Sequence, residues 1–143
     1  MIGELTLSFY SLIPGLFTPR SGNSRRRQLN VLVSEANRNA ASANRESSYG
    51  ETAISAIEKT FTEDKPEIYR RNLSEIAAWH FRLSAEKYRE AAAVFAVAAE
   101  FAVLKINRKK LQAKAVELRK RAEQAESAAN SIQDFNQNKL SAA

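Results

Sequence analysis

The sequence predicts an all-α protein, an antiparallel bundle of three to four helices with an extended N-terminal arm. Three observations carry that expectation. The 143-residue chain holds four glycines and three prolines and is rich in alanine, so the best helix former is abundant and the two worst are scarce. Apolar residues recur at steps of three and four through most of the chain after residue 24. Near the C-terminus, Leu111, Ala115, Leu118, Ala122, Ala125, Ala129 and Ile132 step four, three, four, three, four, three. That is a heptad seam, and its alanines let helices approach closely. An all-β fold would need many more turn residues, and the length suits one domain.

Residues 1–23 read as an apolar arm and linker. Leu5, Leu7 and Phe9 alternate like a short strand, Pro14 and Gly15 interrupt, and Pro19, Ser21, Gly22 and Asn23 form a linker. Leu5, Leu7, Phe9, Leu12, Ile13, Leu16 and Phe17 are the candidate docking residues, because an exposed apolar segment needs a surface to cover. That surface is the chain's own bundle, a neighbouring subunit or a membrane. Glu4 and the lack of a positive first region argue against a secretory signal. The Ser and Arg that follow would suit a mitochondrial-type presequence, and Glu4 counts against that too.

Residues 24–61 read as a basic helical segment. Ser24 is a candidate cap, and Leu29, Leu32, Val33, Ala36, Ala40 and Ala43 share a face. The Asn- and Ser-rich stretch 37–50 is where this helix would fray. Periodicity returns at Ala53, Ile54, Ile57 and Phe61. A break follows at 62–66, with Asp64 expected to cap the next helix and Pro66 to sit in its first turn. The bundle is expected over 62–135. Ile68, Tyr69, Leu73, Ile76, His80 and Leu83 mark one face, and Ser84 would cap a new helix unless 66–106 is continuous. Residues 85–106 are apolar nearly all round, as in a central helix packed on several sides. Asn107 is the expected turn, the last helix starts near Arg108, and 136–143 read as a loose polar tail.

The chemistry is sparse. There is no cysteine and one histidine, His80, so thiolate chemistry is excluded and a zinc site lacks donors. His80 is expected at the core boundary. No HExxH, GxSxG, Walker A or GxGxxG motif occurs. No cofactor, small-molecule substrate or catalysis is expected. Residues 91–104 are apolar at 13 of 14 positions, but at about 1.5 Å per residue they fall short of a ~30 Å bilayer core. Glu100 lies in that run; it is expected to form an ion pair with a Lys or Arg of the last helix, the alternative being that it marks an outward strip.

Charge is the stronger signal. The net charge is +6, and it is uneven. Residues 18–45 are net +5 and residues 105–121 net +7, so the rest of the chain is net −6. Candidate contacts for a polyanion or an acidic partner are Arg25, Arg26 and Arg27 in the first block, and Arg108, Lys109, Lys110, Lys114, Arg119, Lys120 and Arg121 in the second. The competing reading is a solvated helix face. Arginine suits bidentate phosphate contact, but the aromatic interleaving of single-strand binders is absent. Any nucleic-acid contact would therefore go to the backbone.

Tyr88, Glu90, Ala91, Phe95, Ala98, Glu100 and Phe101, followed by Ala113, Lys114, Glu117, Leu118, Arg119, Lys120, Arg121, Ala122 and Glu123, resemble the second and third helices of MIT (microtubule-interacting and transport) domains. Tetratricopeptide repeats share the spacing of Tyr88, Ala91, Phe95 and Ala98. The resemblance implies a three-helix antiparallel bundle over about 66–130. It departs from the family in a short connection, a poorly matching first helix, and Arg119 and Lys120 where an apolar and an acidic residue help receive a partner helix. The reversed charge implies an acidic partner. The expected role is thus a non-enzymatic interaction or assembly module that binds a protein partner or neighbouring copies. The alternatives are a structural coat or filament on nucleic acid, and a peripheral membrane module anchored by the arm.

Overall fold

The computed structural model describes residues 24–141, with side chains to Gln137. The arm residues Leu5, Leu7, Phe9, Leu12, Ile13, Leu16 and Phe17 lie outside the described residues. Among the described residues the fold consists of three helices: α1 (Ser24–Thr62), α2 (Glu67–Phe101) and α3 (Lys105–Ser141). There is no strand among the described residues. The all-α bundle that composition and periodicity predict is what forms, with three helices.

α1 is continuous through the stretch where fraying was expected. The reason is tertiary. Asn44, Glu46 and Ser47 each bond across to α2, so these polar side chains have partners other than their own backbone. After Thr62, Asp64 takes a left-handed conformation, φ 50°. The Lys65 N–H donates to the Thr60 carbonyl at 3.1 Å, the six-to-one bond of a Schellman ending. Asp64 therefore terminates α1 instead of capping α2, a role open to Asp because it tolerates this region better than most residues. Pro66 precedes α2 with no side-chain cap bond.

α2 is one helix, and Ser84 caps nothing. It is fully buried; its Oγ donates to the Ala43 carbonyl at 2.8 Å and lies 2.6 Å from Ser47 Oγ. Residues 66–130, where the MIT resemblance implies three helices, hold α2 and most of α3; the third helix of the bundle is α1. The turn comes earlier than expected. α2 ends at Phe101, residues 102–104 reverse the chain, and Asn107 sits buried inside the first turns of α3. No Gly or Pro lies near, so nothing local fixed the boundary. α3 runs on to Ser141 through what reads as a polar tail, since no residue there stops a helix.

The helices are antiparallel in order. Arg25 meets the end of α2 and Gly50 meets Phe81, while Arg89 pairs with Glu126 and Arg82 with Gln133. α2 lies between the others, and α1 and α3 scarcely approach each other. The core runs across both contacts of α2: Leu29, Val33 and Ala36 from α1, Phe95, Ala91 and Ala98 from α2, Leu111 and Leu118 from α3. The heptad seam is buried from Leu111 through Ala129, which is why two alanine-rich surfaces can close on each other.

Candidate functional site: a basic end with an apolar tip

The two basic blocks, some eighty residues apart in sequence, meet at one end of the bundle. Arg25, in the first turn of α1, donates from Nε to the Phe101 carbonyl at 3.1 Å and from Nη2 to the Glu100 carbonyl at 3.0 Å. These acceptors are the last carbonyls of α2, which lack intrahelical partners and carry the negative end of the helix dipole. Arg108, in the first turns of α3, donates from Nη2 to the Ala102 carbonyl at 3.2 Å. The same helix end is thus held by one arginine from each flanking helix.

Arg26 and Arg27 follow Arg25 in the first turn of α1, and Lys105, Lys109 and Lys110 flank Arg108 in the first turns of α3. Residues 24–28 and 100–112 together contain seven cations and a single carboxylate, Glu100. Two helix N-termini, those of α1 and α3, add their positive dipole ends to the same region. Arg27, Lys105 and Lys109 are exposed and enter no ion pair among the described residues. Glu100 is exposed and forms none either, so the ion pair expected for it is absent among the described residues. It faces an open groove of about 440 Å³ between α2 and α3, shared with Arg108 and Arg119.

The remaining candidates lie elsewhere. Lys114 and Arg121 flank Glu117 at 3.4 and 2.6 Å, so their charge is partly neutralised within α3. Lys120 is exposed along the body of α3, and Arg119, also exposed, lines the groove it shares with Glu100 and Arg108. Of the ten cations singled out, six lie at this end, Arg119 lines the adjoining groove, and Lys114, Lys120 and Arg121 lie elsewhere on α3.

Sequence reasoning missed the apolar part of this end. Val103, Leu104 and Ile106, expected inside a buried central helix, are 72%, 52% and 57% exposed. They occupy the turn and the first turn of α3, with Lys105 between them. A signal did exist: Leu104 lies one heptad before Leu111, in phase with the seam, which places the start of α3 before Arg108.

A second feature lies on the α1–α2 face. His80 Nδ1 is 2.7 Å from Glu46 Oε2, and its ring is flanked by Tyr49 at 5.3 Å and edge-on Trp79 at 4.9 Å. His80 is largely covered while Tyr49 and Trp79 are exposed, so the histidine sits at the boundary of the core. No family model, curated protein or solved structure matches this chain.

Proposed function

We propose that this protein is a non-enzymatic interaction module that docks its basic end on an acidic macromolecular surface. The supporting observation is the meeting of Arg25–27 with Lys105, Arg108, Lys109 and Lys110 around the end of α2. Charges spread over a solvated helix face would have no reason to gather, and gathering raises the local potential that steers an anionic partner.

The test is retention on heparin as a generic polyanion. Arg27→Glu combined with Lys109→Glu is expected to elute at much lower salt than the parent, because binding by phosphate- or sulfate-type contacts falls steeply with each cation lost. Lys59→Glu combined with Lys65→Glu makes the same change in net charge at the opposite end and is expected to elute near the parent. Equal losses from both pairs would show binding by overall charge, and the reading would fall.

A second reading is assembly with neighbouring copies. The opposite end, residues 58–67, carries Glu58, Glu63, Asp64 and Glu67 against Lys59 and Lys65. A head-to-tail contact of basic end on acidic end is heterologous and grows into rings or filaments. Light scattering at low and high salt separates it from docking on a foreign partner. A coat on nucleic acid would use the same cations and is distinguished below.

A further inference from the structure

We infer that the acidic surface is an anionic lipid bilayer, and that Val103, Leu104 and Ile106 insert into it. This rests on the reading of the basic end as a docking site and names its partner. Three observations point the same way. The tip is apolar and exposed, with Val103, Leu104 and Ile106 at 72%, 52% and 57%. Cations accompany it: Lys105 lies within the apolar triplet, Lys109 and Lys110 follow on α3, and Arg27 is in the first turn of α1, whose Arg25 caps the same helix end. The segment holding Leu5, Leu7, Phe9, Leu12, Ile13, Leu16 and Phe17 joins the fold at Ser24, on this same end.

Chemistry selects among the acidic surfaces. A nucleic-acid backbone rewards the cations but offers nothing to three exposed aliphatic side chains at the point of contact. A bilayer with anionic headgroups rewards both at once. Apolar side chains enter the boundary of headgroup and acyl chain while lysine and arginine remain at phosphate level, the two-signal arrangement that stable peripheral anchoring requires. The geometry permits it, because the tip is the extreme end of the α2–α3 hairpin and the cations accompany it. Only the end of the bundle would be immersed, in keeping with the absence of any helix among the described residues long and apolar enough to cross a membrane.

The experiment uses the full chain with vesicles of phosphatidylcholine alone and of phosphatidylcholine mixed with phosphatidylserine, read by flotation. The parent is expected to float with the mixed vesicles and not with the neutral ones. Val103→Ser, Leu104→Ser and Ile106→Ser together are expected to weaken that binding roughly tenfold or more. Heparin retention should stay unchanged, since no charge is removed. All three positions are exposed, and circular dichroism checks that the helices persist. The chain has no cysteine, so Leu104→Cys accepts one environment-sensitive dye. Its emission should shift to the blue on mixed vesicles, while the same dye at Lys65→Cys should not respond.

Several results would overturn the inference. If the serine variant floats like the parent, or the dye at position 104 stays in water, the tip does not insert and the basic-end reading survives without it. If Leu12→Ser, Ile13→Ser and Phe17→Ser abolish flotation while the tip variant keeps it, the arm is the anchor. If mixed vesicles fail and a single- or double-stranded oligonucleotide binds with steep salt dependence, the partner is nucleic acid. If heparin retention ignores Arg27→Glu with Lys109→Glu, the underlying reading fails independently of any lipid result.

Discussion

α2 meets its two neighbours in different ways. Toward α1 it adds hydrogen-bonding side chains to the apolar contact with Leu29, Val33 and Ala36: Ser84 to Ala43 and Ser47, Tyr88 to Asn44, His80 to Glu46. Toward α3 it presents alanine against the Leu111–Leu118–Ala122 seam, with polar contacts confined to the rim, where Arg89 meets Glu126 and Arg82 meets Gln133. An alanine seam gains from close approach but specifies position weakly, because one alanine looks much like the next. Directional bonds with fixed partners do the opposite. They add modest net stability and penalise a shifted register heavily, since a slip leaves buried polar groups unmet. The contrast assigns register to the α1 contact and bulk apolar stabilisation to the α3 contact.

Urea denaturation of point variants can break that assignment. The largest effect is expected at Leu118, nearly fully buried in the apolar contact. Leu118→Ala should cost about 2–5 kcal/mol through lost burial and the cavity left behind. Next comes Gly50, where an added Cβ would lie 2.8 Å from the Phe81 ring. Gly50→Ala should cost about 1–3 kcal/mol by overpacking, despite the roughly 1 kcal/mol that alanine gains over glycine in a helix. In a Phe81→Leu background the obstruction is gone, and the same substitution should become stabilising. Ser84→Ala should cost about 1–2 kcal/mol for two hydrogen bonds, the one to Ala43 buried and the one to Ser47 partly buried. Arg89→Ala, at the half-exposed rim pair, should cost under about 1 kcal/mol. If Arg89→Ala cost more than Ser84→Ala, polar contacts would matter more on the α3 side, and the assignment would be reversed.

The fold was legible where period was strong. The heptad seam marked α3, and the apolar density around Phe95 marked a helix packed on two sides. Legibility failed where tertiary contacts overrode local signals. Asn44, Glu46 and Ser47 look like helix-fraying residues until their partners on α2 are known. Residues 91–104 read as one unbroken apolar helix because nothing in composition distinguishes Phe101, the last residue of α2, from Val103 in the turn.

The candidate site divides in the same way. Both basic blocks were visible as charge runs. Their meeting was not, because it depends on helix lengths and on the turn between them. α1 has 39 residues and α2 has 35, joined by residues 63–66, so the chain returns almost to its starting level and Arg25 reaches Phe101. A seven-residue error in either length would have left Arg25 about 10 Å short at 1.5 Å per residue. The apolar tip was missed because exposure of Val103, Leu104 and Ile106 follows from where the chain turns.

α1 and α3 scarcely touch, so α1 is attached to the molecule along one side only. Such a helix can lift away as a unit while the hairpin of α2 and α3 stays closed, a partial opening that costs less than global unfolding. Opening would carry off Arg25, Arg26 and Arg27 and uncover the carbonyls that Arg25 caps. Any ligand that bridges cations from α1 and α3 therefore acts as a clasp across the free side, and by linkage it raises the cost of that opening in proportion to how tightly it binds.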